Sequence, residues 1–463
     1  MSASDYTTIT VSRTTQAPSQ ASFNILGILA YHTVWTDLQR LYEANADGLA
    51  QMVTDGFNTF DPAYRIASSF ISQDGHPSQF RILRRATAFR QGLELEADNG
   101  GVVPAAALVI SFSITGPNGV TRDYTRTSAG VSKNAEAIAI AAAINADVSG
   151  WGAAGSVEFV CAVSGGGAGD VVEIDAVIGS SGDMWYIHDM EYLLYGDVTA
   201  DPGIVADLTS IRTAGSDDFY GVVIDSESKA EITALAANIE TLNKIFGFTT
   251  RDSDAPTTAA TDILTDMEAL NYDRTFGLPT EGSLATYPVA AWMGLKLAKT
   301  PGFTNWAFAH TAAGIVSDDW TADQKTNIRT TKSGNYYVDA ADIDHFYPGQ
   351  AFSGEWIDIV MLTDWTVARI EEAIFGTMIT SEKIPYTAKG AEIIKGQCYS
   401  VVREQMRDDD SGGFIKGSEE FSYPSISSVS TANKAARHLP DCVLRVQFTN
   451  AVNTVGLALT LSF

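Results

Sequence analysis

Residues 219–249 contain the pattern that most restricts the fold, namely two apolar runs on either side of one amphipathic segment. The runs at 219–224 and 245–249 predict buried strands. Between them, Ser228 and Glu231 have the spacing of a capping box that begins a helix. The apolar residues that follow at helical spacing are Ile232, Leu235, Ile239 and Leu242. A strand–helix–strand unit of this length pairs its strands in parallel, so the sequence predicts an open α/β layer.

Other stretches extend this layer on both sides of the unit. Strands are predicted at 23–30, 79–83 and 274–278. Helices are predicted at 47–53, after Pro62 with Asp61 as its cap, and at 259–270, 284–297 and 323–330.

The composition changes between residues 92 and 182, where Gly, Ala, Val and Ser are common and Lys and Arg are rare. Two predicted hairpins lie there, with turns at 116–119 and 165–169. Their strands are at 108–115, 120–125, 157–163 and 171–178, and an alanine-rich helix at 134–146 separates them. This ββαββ pattern predicts an inserted β-rich domain.

Residues 354–407 are predicted to form a strand and two helices. The short apolar run at 356–362 favours a buried strand, after which Thr363 and Asp364 offer N-cap oxygens to a helix. Pro385 ends that helix before residue 386, and Thr387 can cap the next one. The residues predicted to form the core of this region are Trp356, Val367, Ile370, Ile374, Met378, Ile394 and Val401.

The second of these helices has two chemically different faces. Its predicted buried face is Ala391, Ile394, Cys398, Val401 and Val402. Its opposite face is basic and consists of Lys389, Lys395, Arg403 and Arg407, with Glu392 and Tyr399 between the two faces. The whole chain carries a net charge of −26, so this stripe is locally unusual. It is either an ordinary solvated face or a contact for an acidic partner.

Both ends of the chain alternate as strands do. Near the beginning, Thr7, Ile9, Val11 and Arg13 alternate with other residues, before a polar linker at 16–22. Near the end, the alternating residues are Leu444, Val446, Phe448, Val455, Leu457, Leu459, Leu461 and Phe463. An isolated strand cannot satisfy its own backbone groups, so each needs a sheet edge in this chain or in a neighbour.

Bulk properties exclude several classes of function. The acidic balance argues against nucleic acid as a partner, because phosphate binding needs clustered Lys and Arg. No apolar run approaches the roughly 18 residues of a membrane helix, and the polar N-terminus is not that of a secretory signal. The cysteines Cys161, Cys398 and Cys442 each lie in an apolar pattern, which predicts buried thiols in a reducing compartment.

The sequence shows no convincing catalytic, cofactor or metal motif. The six histidines are scattered, and His345 with Asp342 and Asp344 favours a polar loop over a metal site. The acidic stretch at 408–413 lacks the spacing of a calcium loop, and the glycines at 165–169 do not open a helix as a dinucleotide site requires. Phosphate-loop and nucleophile-elbow motifs are absent from the chain. A catalytic carboxylate pair hidden among the 56 acidic residues stays open.

Segments spread over most of the chain resemble a known family. In chain order they are Asp55-Gly56-Phe57, Tyr64-Arg65-Ile66-Ala67, Ser72-Gln73, Phe219-Tyr220-Gly221, Asp225-Ser226, Asn305-Trp306-Ala307, Gly354-Glu355-Trp356-Ile357-Asp358, Asp364-Trp365, Arg369-Ile370, Lys383-Ile384-Pro385-Tyr386-Thr387, Gly413-Phe414-Ile415 and 432–440. Their order and spacing resemble the contractile tail sheath proteins of long-tailed bacteriophages, in the branch with an inserted β-rich domain.

The resemblance implies a multi-domain α/β and α+β fold, an α/β sheath core with an inserted ββαββ domain and terminal β-strand arms. The predicted divisions are a strand-exchange arm at 1–22, a sheath α/β domain at 23–91 and 183–350, an inserted outer domain at 92–182, and an inner sheath domain at 351–463.

The resemblance also implies a structural virion protein and no enzyme. Copies polymerise as stacked rings or a helix around a tail tube, and contraction drives the tube through the host envelope. The implied partners are neighbouring sheath subunits, the tube protein, and baseplate and terminator proteins, with assembly in the host cytoplasm. The terminal strands would link subunits, and Lys389, Lys395, Tyr399, Arg403 and Arg407 would face the tube. The alternatives are another phage tail component, such as a tube or baseplate protein, and a soluble α/β enzyme with an acidic site.

Overall fold

The computed structural model describes residues 22–32, 34–57, 59, 61–85, 90–95, 106–115, 121–146, 159–164, 171–176, 186–191, 193–196, 203–282, 286–408 and 411–455. Contacts between residues divide the described chain into two compact units. One consists of Ser22–Leu362 with residues 451–455, and the other of Thr363–Asn450.

A six-stranded sheet forms the centre of the first unit. Its strands in spatial order are β13 (Thr275–Pro279), β12 (Ile245–Thr250), β11 (Gly221–Ile224), β1 (Leu26–Tyr31), β3 (Gln79–Arg85) and β2 (Gln39–Glu43). All neighbours pair in parallel except β2, which runs antiparallel to β3 at the edge. The chain leaves β1 toward β3 on one side and later builds β11, β12 and β13 on the other. The sheet is therefore doubly wound, and the order reverses between β1 and β11.

Helices cover both faces of this sheet because its strands are apolar on both sides. One face packs against α1 (Ala46–Asp55), α2 (Pro62–Ile71) and α7 (Pro288–Leu297). The other packs against α4 (Ile204–Ala214), α5 (Lys229–Ile239) and α6 (Ile263–Leu270). Strand β1 shows the alternation directly, since Ile28 lies in the first core and Leu29 in the second. The predicted strand–helix–strand unit with parallel pairing is confirmed by β11, α5 and β12.

The β-rich segment contains two small sheets. One has the order β10 (Leu193–Gly196), β4 (Arg90–Leu95), β8 (Val171–Ala176) and β7 (Phe159–Ser164). The other has the order β6 (Thr121–Thr127), β5 (Val109–Thr115) and β9 (Tyr186–Glu191), and helix α3 spans Lys133–Ala146. Both predicted hairpins pair as expected, although their turns lie outside the described residues. Strands β4, β9 and β10 carry the segment beyond the predicted range of 92–182.

A hairpin and two helical segments complete the first unit up to residue 356. Helix α8 spans Ala322–Thr326 and continues as a π-helical turn at Asn327–Thr331. The hairpin is formed by β14 (Tyr336–Ala340) and β15 (Ile343–Tyr347), and no pattern in the sequence predicted it. The half of the hairpin away from its turn is buried, and its residues Tyr337 and Phe346 belong to the core of the first unit.

The predicted strand at 356–362 is wrong. These residues begin helix α9, which spans Ile357–Thr380 without a break, so neither Thr363 nor Asp364 is an N-cap. A short apolar run fits a buried strand and a buried helix equally well. The helical spacing of the buried residues Ile357, Val360 and Met361 decides the matter. The division between the two units falls inside this helix, between Leu362 and Thr363.

The second unit is built from the rest of α9, helix α10 (Ala388–Glu404) and a small sheet. The predicted end of the first helix before Pro385 is confirmed, and so is the cap of the next, because Thr387 Oγ1 accepts a hydrogen bond from the Gly390 amide. The sheet consists of β16 (Glu420–Ser422) and β17 (Val443–Arg445), with the short helix α11 (Thr431–Ala435) between them.

Candidate functional site

The carboxyl edge of the parallel sheet is where ligands bind in doubly wound folds, and here an internal ion cluster fills it. Arg85, the last residue of β3, is fully buried. Both of its terminal nitrogens donate hydrogen bonds to the Glu231 carboxylate on α5. Asp225, which follows β11, has Oδ1 3.6 Å from the same guanidinium, and its Oδ2 accepts the Tyr31 amide at 2.9 Å. Burial raises the pKa of Asp225 to about 6, against the lowering influence of Arg85.

This cluster also corrects the predicted capping box. Glu231 is committed to Arg85, and the Ser228 side chain makes no capping hydrogen bond to the helix. The spacing of Ser228 and Glu231 marked the start of α5 correctly. The side chains are used differently because Arg85 reaches Glu231 from a strand 146 residues away in sequence.

Further along the same edge, the polar groups are again occupied by protein partners. Arg251, after β12, is bonded to the Glu227 carboxylate and donates to the carbonyls of Gly282 and Thr286. Asp318 accepts from the Thr280 hydroxyl at 3.2 Å and the Glu281 amide at 2.8 Å, and burial raises its pKa to about 6. The charges at this edge therefore tie strands and loops of the fold to one another.

Metal chemistry finds no support in the part of the chain that the structure describes. In that part, no three His, Cys, Asp or Glu side chains are grouped to hold a metal ion. Asp342, Asp344 and His345 belong to the β14–β15 hairpin, where His345 stacks on Phe308. Residues 165–169 and 409–410 of the glycine-rich and acidic stretches lie outside the described range.

Helix α10 has the two predicted faces. Ala391, Cys398, Val401 and Val402 are buried, and Ile394 is partly exposed. Lys389, Arg403 and Arg407 are exposed, and Lys395 is partly exposed. The predicted division of the helix is thus confirmed, with Ile394 at the margin of the buried face.

Much of the basic stripe already has partners inside the second unit. Arg403 donates to Glu419 at 2.7 Å and lies over the Tyr399 ring at 4.8 Å. Lys395 lies 3.5 Å from Glu392, and Arg407 donates to backbone carbonyls. Tyr399 accepts from the Phe421 amide at 3.1 Å, so its hydroxyl fastens β16 to the helix.

Two members of the predicted inner core are not buried in the isolated chain. Val367 is 46% exposed and Met378 56% exposed on α9, so their predicted burial is wrong. Trp356, Ile370 and Ile374 are partly exposed, while Val401 is buried. Together with Phe375 and Ile379, the two exposed residues form an apolar face along the C-terminal half of α9. The spacing identified a coherent face, and none of the residues that the structure describes covers it.

The terminal strand pattern has a mixed outcome. Leu444 lies in β17, which pairs antiparallel with β16 of the same chain, and Phe448 forms an isolated bridge with Phe414. Val446 lies between them and is partly exposed, and Val455 is exposed outside any strand. The stretch around β17 therefore has one sheet partner within its own unit. Thr7, Ile9, Val11, Arg13, Leu457, Leu459, Leu461 and Phe463 lie outside the described residues.

A groove in the second unit was not predicted. The end of α9, the connection at 381–387, the start of α10 and residues 437–442 enclose a volume of about 490 Å³. Its walls are largely apolar, and Lys383, Arg437 and His438 lie among its lining residues. No sequence pattern signals it, because its walls come from segments that are far apart in the chain.

Two cysteines can be compared with their predicted burial. Cys398 is buried, as predicted, and both it and Cys442 are free thiols. Cys442 is exposed, so its predicted burial is wrong, and it lines the groove. The side chain of Cys161 is outside the described part. Among the helices that the structure describes, not one is long and apolar enough to cross a membrane.

Comparison with known proteins gives matches at the level of structure. No family model matches the chain, and no curated protein sequence matches it. A chain of the PVC sheath complex in its contracted state, from an extracellular contractile injection system, superposes with a TM-score of 0.53 at 7% identity, covering 98% of this chain and 97% of that one.

Two further solved structures are similar at lower TM-scores. The contracted helical sheath of the anti-feeding prophage has a TM-score of 0.46 at 8% identity, covering 98% of each chain. The baseplate of the same system has a TM-score of 0.45 at 12% identity, covering 58% of this chain and 76% of that one. It is the full-length superposition at 0.53 that shows the architecture: the chain has the multi-domain α/β fold of a chain of the PVC contractile sheath complex.

Proposed function

We propose that this protein is the subunit of a contractile sheath, whose copies polymerise around a tail tube and shorten to drive the tube through a cell envelope. The observation that carries the proposal is the fold shared over nearly the full length of both chains with a component of the PVC sheath complex. The ion cluster at the carboxyl edge of the sheet supports a structural role, because Arg85, Glu231 and Asp225 are used to hold the fold together.

The contact with the tube is assigned to the exposed basic residues of α10. Lys389 is the best candidate within the stripe, because it is exposed and forms no ion pair among the described residues, and exposed Arg407 lies on the same face. Exposed ion pairs are worth about 0.2–1 kcal/mol each, which suits a contact that has to break during contraction. Repetition over many subunits would make their sum large.

Links between subunits are assigned to the terminal strands. Strand β17 and its partner β16 form a two-stranded sheet, and an isolated pair of this kind is marginally stable. An added strand from the arm of a neighbouring copy, at residues 7–13 or 455–463, would extend it and satisfy the open backbone groups. The exposed apolar face of α9 is a second surface that contact with a neighbour would cover.

The remaining partners follow from the same role. Baseplate and terminator proteins would bind the two ends of the polymer, and the assembled particle would be a phage tail made in the host cytoplasm. A tube or baseplate protein is the nearest alternative, and an enzyme with an acidic site is a more distant one. The likeness to a sheath-complex chain over 98% of this protein favours the sheath subunit over both.

Electron microscopy of the purified full chain tests the proposal. We expect tubes or stacked rings with a wide lumen, and two forms that differ in length and diameter when tail tube is present or absent. Analytical ultracentrifugation that finds only monomers at high protein concentration, with no ordered particles in negative stain, would overturn it.

A further inference from the structure

The groove in the second unit combines apolar walls with a basic rim. Its volume of about 490 Å³ is within the range of sites that hold a ligand or a few side chains. Exposed Met378 lines it and also belongs to the apolar face of α9, so the groove opens onto a larger apolar surface. The principal apolar lining residues are Ile374, Met378, Ile384, Ile394, Ile426 and Leu439.

The cations of the groove have no acidic partner in the chain as described. Lys383 and Arg437 are exposed and form no ion pair among the described residues, His438 lies beside Arg437, and Glu382 is the one carboxylate in the lining. Two cations against one carboxylate leave the groove with a net positive charge on a chain whose net charge is −26, and with its apolar surface this suits an acidic segment that also carries an apolar side chain.

The first unit presents a segment with this chemistry at the tip of the β14–β15 hairpin. Ile343 is 57% exposed there. The exposed Asp339 and Asp342 and the partly exposed Asp344 surround it. Asp339 and Asp344 are direct cross-strand partners, and like charges placed opposite one another destabilise a hairpin. A cation from another molecule would relieve that repulsion.

We propose that the Ile343 tip of one copy docks in the Lys383–Arg437–His438 groove of the next copy. This inference rests on the proposed function, since it names a contact between sheath subunits. Ile343 would enter the apolar groove, and the three aspartates would meet the basic rim. In the proposed arrangement each copy offers its tip to one neighbour and its groove to another, so the contact is head-to-tail and its repetition gives a ring or a helix.

A native thiol in the groove allows a direct test. Cys442 is exposed and lines the groove, so Ile343→Cys places a second thiol at the tip that would enter it. A copper–phenanthroline oxidant takes two electrons from the thiol pair, which lose two protons and form one disulfide. We expect a ladder of disulfide-linked multimers on a non-reducing gel of the assembled protein. The ladder should disappear when Cys442→Ser is added.

A mixed assembly separates contacts between copies from contacts within one copy. The double variant I343C/C442S, mixed with wild-type chain, should give a crosslinked dimer and no larger species. The matched control is Val316→Cys, at a position that is 77% exposed and lies outside the hairpin. Tubes that form normally with no ladder would overturn the docking and leave the proposed function standing. A ladder of equal strength from V316C would also overturn it.

Charge reversal provides an independent test on the same two patches. The pair Asp342→Lys and Asp344→Lys should raise the critical concentration for assembly about tenfold. Lys383→Glu with Arg437→Glu should do the same, and combining all four changes should restore most of the loss. If the combined variant assembles no better than either pair, the patches do not meet. If wild type forms no polymer at all, the proposed function fails and this contact fails with it.

Discussion

Arg85 at the end of β3 and Glu231 in α5 form a buried, two-pronged ion pair that joins the central sheet to the helices on one face. Asp225 completes the cluster from the neighbouring strand end, so a single guanidinium compensates two buried carboxyl groups. The interaction lies where the strand order reverses, which is the place a doubly wound fold offers to a ligand. In this protein the ion cluster occupies that point and stabilises the fold.

The first prediction concerns this cluster. Arg85→Met should lower the free energy of unfolding by about 3–5 kcal/mol, because it leaves buried carboxylates without a cation. Replacing Glu231 as well, in R85M/E231L, should recover part of that loss, because Asp225 is then the one carboxyl group of the cluster left without a cation. Urea denaturation followed by tryptophan fluorescence measures both variants. An equal loss in the single and double variants would show that the ion pair is not the origin of the effect.

The second prediction concerns pH. Burial raises the pKa of Asp318 to about 6, above the ordinary value of about 3.8 that applies to the unfolded chain. The folded state therefore binds this proton more tightly, and the resulting stabilisation is complete below about pH 4 and lost as the pH rises through 6. Asp318→Asn keeps an acceptor for Thr280 and Glu281 and removes the charge.

This variant should be about 3 kcal/mol more stable than wild type at pH 7.5, and the difference should shrink to about 1 kcal/mol at pH 4.5. Thermal melts across this pH range measure the difference. The conservative control is Asp339→Asn, whose carboxylate is exposed at the hairpin tip. A difference between D318N and wild type that does not change with pH would contradict the assignment.

The third prediction concerns the N-terminal arm. Deleting residues 1–18 should leave a folded protein with an unchanged melting temperature, because the described core of the first unit begins after residue 22. The deletion should prevent tube formation if the arm supplies a strand to a neighbour. Negative-stain microscopy is the measurement. Ordered contractile tubes after the deletion would show that the arm does not link subunits.

The fourth prediction concerns the basic face of α10. Reversing Lys389 and Arg407 to glutamate should weaken co-assembly with an acidic tail tube several-fold and leave contacts between sheath subunits intact. Arg403 is less informative, because its reversal would also set a glutamate against Glu419. Co-sedimentation with tube measures the effect, with exposed Lys299→Glu as the control. Unchanged co-sedimentation would remove this surface from the tube contact.

Local pattern was enough to predict much of the architecture. The parallel unit of β11, α5 and β12 followed from two apolar runs and one helical repeat. The hairpins of the inserted segment followed from glycine-containing turns between alternating strands. The end of α9 and the cap of α10 followed from Pro385 and Thr387. In each case the determining interaction joins residues that are near one another in sequence.

Tertiary structure decided the rest. Residues 356–362 fit a strand as well as a helix, and only their packing selected the helix. Glu231 had the spacing of a capping residue, but a distant Arg85 took its carboxylate. Val367 and Met378 had the spacing of a core face, yet they stay exposed among the described residues of the folded chain.

The groove and the hairpin tip could not be predicted for the same reason. The sequence by itself determined most of the helices and strands and which of their faces are apolar, since periodicity is a local property, while segments such as 356–362 were left to packing. Which charges meet and which apolar faces stay open depend on long-range packing, and only the folded chain contains that information.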